Sequence, residues 1–386
     1  MIIKNAQIVL VDQVIKGWME ILDDKIVKIC PGETDQLGVD LNWSWIMPGF
    51  IDCHVHGGYG ITFESGRIED YVEYAKKTPQ EGVTSFCLTS VTNTVEKNNQ
   101  YYAEFGKFML EFNHGEQATC LGAHLEGPFI APSKKGAHDA TLLKKPDIKL
   151  TQQWNQLTHE NLKIVTYAPE EQDGSYTKWL IQNKILPSAG HCNIGAKQFL
   201  EQEYLLGVRH VTHLFNQMSG VDHHHPGLVV AAMDRDDILC EVISDGIHLD
   251  PLVLEMIYKT KGSKGIVIVT DGMIAKGMKD GDYLLGDLPV TKKGLRVVLK
   301  GTDTLAASPA GFDHNVRTYA QLCQIPMVEL AHMSATNIAK QLNIIDHTGM
   351  IAPGMDADLV VLSNDLVVEQ TIIKGKVVYQ SEHKDL

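Results

Sequence analysis

Eight continuous apolar runs, each followed by a polar or helix-like stretch, constrain this chain more than any other feature. They lie at 47–55, 83–91, 120–125, 162–167, 186–191, 208–214, 238–244 and 265–270. Their hydrophobicity is unbroken rather than alternating, which is the pattern of parallel strands buried on both faces. Helix-like segments fall between them, at 68–77, 97–112 and 251–258 among others. Eight strand-then-helix units predict an α/β fold, a closed (β/α)8 barrel of the TIM type. A doubly wound open sheet is the main alternative.

The two ends read differently. Residues 1–46 suggest short strands at 2–10, 17–22 and 25–30, the last two joined at Asp23-Asp24. Residues 349–386 suggest a turn at 349–354, a strand at 357–362 and a strand pair within 367–379 turned near Lys374-Gly375. A lone hairpin is marginal in water. Together the two ends predict one small β-sandwich domain, leaving 47–348 for the barrel.

Charge and cysteine usage exclude several classes. The formal net charge is −14, so a phosphate-backbone partner finds no basic footprint and nucleic-acid binding is not expected. The seven cysteines are scattered with no CxxC pair, which reads as reduced thiols in an apolar interior. The start, Met1-Ile2-Ile3-Lys4-Asn5, lacks the regions of a secretory signal. No apolar run approaches the ~20 residues of a membrane span. The expectation is a cytoplasmic protein acting on a small molecule, with no membrane partner.

The polar residues fall at the strand ends. His54 and His56 close the first run, Glu126 follows the third, His191 ends the fifth, His213 lies at the end of the sixth and Asp271 follows the eighth. Sites on such barrels lie at the carboxyl ends of the strands. Residues i and i+2 on a strand point the same way, so His54 and His56 face one point. Imidazole and carboxylate are the common ligands of zinc and related divalent metals, and the two oxygens of Glu126 suit a bridge between two ions. One histidine in an apolar run is ordinarily a packed core residue. Six such side chains at the ends of separate strands are not explained by packing, because unpaired buried polar groups are costly.

These motifs resemble a known family. The segment Met47-Pro48-Gly49-Phe50-Ile51-Asp52-Cys53-His54-Val55-His56 is similar to the first-strand signature of the amidohydrolase superfamily. The stretch His124-Leu125-Glu126-Gly127-Pro128-Phe129, followed by Gly136-Ala137-His138, is similar to the N-acetylglucosamine-6-phosphate deacetylase family within it. So are Gly190-His191, Thr212-His213-Leu214-Phe215-Asn216, Ser244-Asp245-Gly246-Ile247-His248 and Thr270-Asp271-Gly272. The split sandwich also fits. The resemblance implies one divalent ion on Glu126, His191 and His213, and one or two ions in all, since some members carry a second on the first-strand pair that His54 and His56 match. Zinc is the first choice, with iron or manganese next. It implies Asp271 as acid–base, His138 as a hydrogen bond to the acetamide carbonyl, and Asn216, Gln217 and His248 as contacts to the sugar phosphate. It also implies a homodimer.

The chain departs from that family in two places. Where the family carries an arginine that reaches phosphate, this chain has His224, within His223-His224-His225. Histidine lacks the bidentate fork of arginine and is only partly charged near neutrality. Where the family has a run rich in Ser and Thr, this chain has Ala306-Ala307-Ser308-Pro309-Ala310-Gly311-Phe312. The expected reaction is hydrolysis of the acetamide of an N-acetylhexosamine 6-phosphate, N-acetylglucosamine 6-phosphate first. The alternatives are the galactosamine isomer, an unphosphorylated amino sugar, a cyclic amide, or a barrel without turnover.

Overall fold

The computed structural model describes residues 1–382; the last four residues of the 349–386 segment lie outside the described residues. Eight parallel strands form the barrel sheet: Phe50–Val55, Val83–Ser90, Thr119–Glu126, Leu162–Tyr167, Leu186–Ala189, His210–Val211, Leu239–Ile243 and Ile266–Val269. Each is followed by helix, from Ile68–Lys77 after the first to Phe312–Cys323 after the eighth. Side chains of these strands are buried almost throughout, as unbroken apolar runs require. The helices start at side-chain caps where the sequence supplies them. Thr94 accepts from Lys97 N, Asp147 from Leu150 N and Asp250 from Leu252 N.

The barrel closes at one seam. Asp271 N donates to His54 O at 2.9 Å, and His56 N donates to Gly272 O at 2.7 Å. These bonds join the first strand to the end of the eighth. The eight-strand reading therefore holds, with adjustments at the first and sixth strands. The run 47–55 is two strands, because the chain bends at Gly49 between Trp45–Pro48 and Phe50–Val55. A Cβ at Gly49 would lie 2.2 Å from Thr84 Cγ2, so only glycine lets the bend pack against the second strand. The sixth strand is cut to His210–Val211, since the chain turns into a left-handed conformation at His213 (φ 27°).

The second sheet joins both chain ends. Its order is Lys376–Gln380, Val368–Ile373, Leu359–Leu362, Trp45–Pro48, Ile2–Val9, Val14–Leu22 and Lys25–Pro31, with Val39–Asp40 beside Ile2–Val9. The expected turns are present: Leu22 pairs with Lys25, and Ile373 pairs with Lys376 around Lys374 and Gly375, both at positive φ. Ile3, Ile8, Met19, Ile21, Leu359 and Ile372 share a core separate from that of the barrel.

A third element has no counterpart in the sequence reading. Gly281–Leu285, Leu288–Lys293 and Arg296–Leu299 form a three-stranded antiparallel sheet between the eighth strand and its helix. Leu285, Val290 and Val297 pack on Met273 and Val91 at the barrel mouth. Among the described residues no helix is long and apolar enough to cross a membrane.

Candidate active site and metal centre

The strand ends bring the predicted side chains to one point. His54 and His56, alternate residues at the end of the first strand, share a face with Glu126 at the end of the third. His54 Nε2 is 3.4 Å and His56 Nε2 3.2 Å from Glu126 Oε2. The same two nitrogens are 3.6 and 3.1 Å from Asp271 Oδ1. The other oxygen, Glu126 Oε1, is 3.3 Å from His191 Nε2 and 2.9 Å from His213 Nε2, and those two nitrogens are 3.1 Å apart. Four donors at ~2.0–2.1 Å from one ion, set tetrahedrally, sit about 3.3 Å from each other. The observed spacings cluster around that edge length. Glu126 divides its oxygens between two such groups.

The imidazoles are turned the right way for a cation. His56 Nδ1 donates to Thr89 O at 3.1 Å, His191 Nδ1 to Lys134 O at 2.7 Å, and His54 Nδ1 to Glu241 Oε2 at 2.8 Å. Each Nε2 then carries a lone pair toward the centre. His54 Nε2 is buried with no hydrogen-bond partner in the protein, as a ligand atom would be. His191, His213 and Asp271 all have positive φ (46°, 27° and 49°), strained conformations that aim the three side chains inward.

Charge follows the same logic. Burial disfavours ionised Glu126, yet His54 and the bonds from His191 and His213 hold its carboxyl well below the usual range. Burial likewise opposes ionised Asp271, and the bond from His56 with the charge of His54 outweighs it. His56 is pushed up to about 9 because its bonds to Asp271 and Glu126 overcome its burial. The cluster stabilises positive charge at its middle, which is what a divalent cation supplies.

His138 is buried and belongs to the same cavity. Its Nδ1 faces two groups of Thr92, Oγ1 at 2.8 Å and the backbone N–H at 3.3 Å. A backbone N–H can only donate, so Nδ1 accepts and the ring hydrogen sits on Nε2. Burial, then the neighbouring His191, holds His138 down at about 3, so the ring is neutral. His248 is held differently. Its Nδ1 donates to Asp245 Oδ2 at 2.8 Å, and Asp245 also accepts from Ser308 Oγ at 2.9 Å. Burial lowers His248, but Asp245 outweighs it and the net shift is upward.

These residues line a cavity of about 340 Å³ with Asn216, Gln217, Gly136 and Ala137. Leu285, Thr304, Leu305 and Ala307, around the small third sheet, close its side. No Lys or Arg is among the described residues lining it. His224 is not there either. It is exposed, its N–H donating to Asp222 Oδ1 at 2.8 Å, with its ring 3.9 Å from that of His223. The remaining predicted residues, ten of them by position, converge: His54, His56, Glu126, His138, His191, His213, Asn216, Gln217, His248 and Asp271.

Comparison with known proteins fits this geometry. Residues 45–378 match the amidohydrolase family. The chain belongs to that family. The N-acetylglucosamine-6-phosphate deacetylase of Bacillus subtilis (strain 168) is 34% identical to this amidohydrolase over 396 aligned positions, covering 100% of this chain and 98% of that protein. The human protein of the same name is 33% identical, covering 87% of this chain and 84% of its own. The crystal structure of the Thermotoga maritima N-acetylglucosamine-6-phosphate deacetylase superposes with a TM-score of 0.90 at 34% identity, covering 99% of this chain and all of that one. A mutant of the Mycobacterium smegmatis enzyme, in complex with N-acetyl-D-glucosamine-6-phosphate, superposes with a TM-score of 0.92 at 27% identity, covering 98% of this chain and 99% of that one.

The sequence reading passed over Glu241, His210, Thr92 and Asp245. Glu241 had a legible signal: a lone acid inside the apolar run Leu239-Cys240-Glu241-Val242-Ile243. Asp245 lay inside a quoted motif. Thr92 and His210 carried no sequence signal of their own.

Proposed function

We propose that this amidohydrolase hydrolyses the acetamide of N-acetylglucosamine 6-phosphate, giving acetate and the amino sugar phosphate. The observation that carries the chemistry is the spacing of Glu126 between two imidazole pairs. His54, His56, Glu126, His191 and His213 are the ligands we assign to one or two divalent ions, zinc first. A cation held there would supply Lewis acidity and would make a nearby water a better nucleophile near neutral pH.

The chain's own residues do the rest. Asp271 accepts a proton from the attacking water and delivers it to the amide nitrogen, since an amine leaves only when protonated. His138 donates its Nε2–H to the carbonyl oxygen, where charge develops. His248 presents Nε2 to the sugar phosphate, with Asn216 and the backbone at Gln217 beside it. The third sheet limits the cavity to a small ligand and keeps bulk water from its side.

A second reading has its own support: among the described residues the lining carries no Lys or Arg, and His224 lies outside it. Either the substrate lacks the phosphate, or the exposed His224 loop meets the cavity of a second subunit in a homodimer. One assay separates these. Acetate release is measured on N-acetylglucosamine 6-phosphate, N-acetylgalactosamine 6-phosphate and unphosphorylated N-acetylglucosamine, alongside the mass in solution. Preference for the first substrate by a dimeric protein supports the proposal. Equal turnover with and without phosphate overturns the phosphate assignment. No acetate from any of the three overturns the deacetylase reading.

A further inference from the structure

Glu241 sits within the seventh barrel strand, wholly buried, and beyond its bond to His54 no step above uses it. Its two oxygens are fully engaged. Oε2 accepts from His54 Nδ1 at 2.8 Å and from the backbone N–H of His213 at 3.1 Å. Oε1 meets His210 Nε2 at 2.9 Å and Cys53 Sγ at 3.8 Å. His210 is itself tied through Nδ1 to Gln341 Oε1 at 2.7 Å, and Gln341 Nε2 donates to Arg209 O at 2.9 Å. A carboxylate in the middle of a buried strand is expensive. The rest of its own strand, Leu239, Cys240, Val242 and Ile243, is apolar and buried. The contacts of Glu241 are instead shared between a ligand on the first strand and a ligand after the sixth.

We propose that Glu241 is a positioning residue of the ion centre, acting through His54 and His213. Its Oε2 fixes the His54 tautomer, so that Nε2 offers a lone pair and not a hydrogen. The same oxygen ties the backbone of His213 at its left-handed turn, so one carboxylate sets two ligands on opposite sides of Glu126. An imidazole whose Nδ1 is not held can move its proton to Nε2 and cease to be a ligand. The other tautomer anchors are main-chain carbonyls, Thr89 O for His56 and Lys134 O for His191. Those cannot be removed by substitution; Glu241 can. The inference rests on the ligand assignment of the preceding subsection.

The test uses the full chain stripped of metal, as wild type, Glu241→Gln and Glu241→Leu. Zinc is titrated against a chromophoric chelator, bound zinc is counted after desalting, and the melting temperature of each metal-free protein is recorded. Glu241→Gln keeps an acceptor toward His54, and Glu241→Leu does not. Zinc affinity is expected to fall roughly 10–100-fold in Glu241→Leu, the range for losing an outer-shell partner of a metal ligand, with a smaller loss in Glu241→Gln. In a His54→Asn background, Glu241→Gln should add little further loss. A merely structural role would lower the metal-free melting temperature and leave zinc affinity per folded chain unchanged. Wild-type affinity in folded Glu241→Gln and Glu241→Leu overturns the inference. If Glu241→Leu does not fold, undiminished affinity in Glu241→Gln does so alone. A wild-type chain that binds no zinc overturns the ligand assignment itself, and this inference with it.

Discussion

His138 offers the sharpest test of the reaction chemistry, because its position admits two readings. With Glu126 and His191 it forms a group close enough to share an ion. Yet its Nε2 is 3.8 Å from Glu126 Oε2, longer than the 3.1–3.6 Å at which His54 and His56 stand from Glu126 and Asp271. The Thr92 N–H on Nδ1 also places the hydrogen on Nε2. The geometry makes His138 a donor. Losing one donor to developing oxyanion charge costs about 2.7–4 kcal/mol, or 100- to 1000-fold in kcat. His138→Leu should show that loss with bound metal unchanged. His138→Gln, which retains an N–H near the same place, should recover part of it. Thr92→Val removes the Oγ1 partner but keeps the backbone donor, so only about 1 kcal/mol is at stake. The assays are steady-state acetate release and elemental analysis on the same preparations. A loss below tenfold in His138→Leu, or a lost ion, refutes the donor argument.

Three further outcomes are expected. Asp271→Asn retains metal and fold but loses roughly 100- to 10,000-fold in turnover, the range for general acid–base help; acetate release checks it, and near-normal rates would remove Asp271 from proton transfer. His248 is raised above its ordinary ~6.5 by Asp245. Its charged form, and the stability it contributes, is therefore complete below ~6.5 and lost as pH rises through the raised value. KM for the phosphorylated substrate should climb over that window in wild type and not in His248→Gln. Lys276 is buried against Glu81 at 2.9 Å, and Lys276→Met leaves that buried carboxylate without its counter-charge, at a cost of about 3–5 kcal/mol. At ~2.1 cal/mol/K per residue over 386 residues this lowers the melting temperature by about 4–6 °C, read by calorimetry.

The barrel was legible because strands buried on both faces leave an unbroken apolar record, and the proposed ligands were legible because they stand at the ends of such runs. What escaped has a physical reason. The sheet over 281–299 buries only one face, so Tyr283, Leu285, Val290 and Val297 are spread among exposed polar residues and look like loop. The bend at Gly49 was hidden because apolar residues continue on both sides of it. Thr92 and Asp245 are ordinary polar residues until the fold sets them behind His138 and His248. His224 was placed by resemblance alone, and no periodicity could say which way its exposed loop turns.

The hydrogen bonds from Asp271 to His54 and from His56 to Gly272 carry an implication for biogenesis. As the polypeptide is made from its amino end, His54, His56, His191 and His213 are all made before residue 271. They can be lined up only once the last stave of the cask is fitted against the first. An unfinished or truncated chain therefore holds the makings of the centre but not its shape, and catalytic competence arrives together with the finished fold.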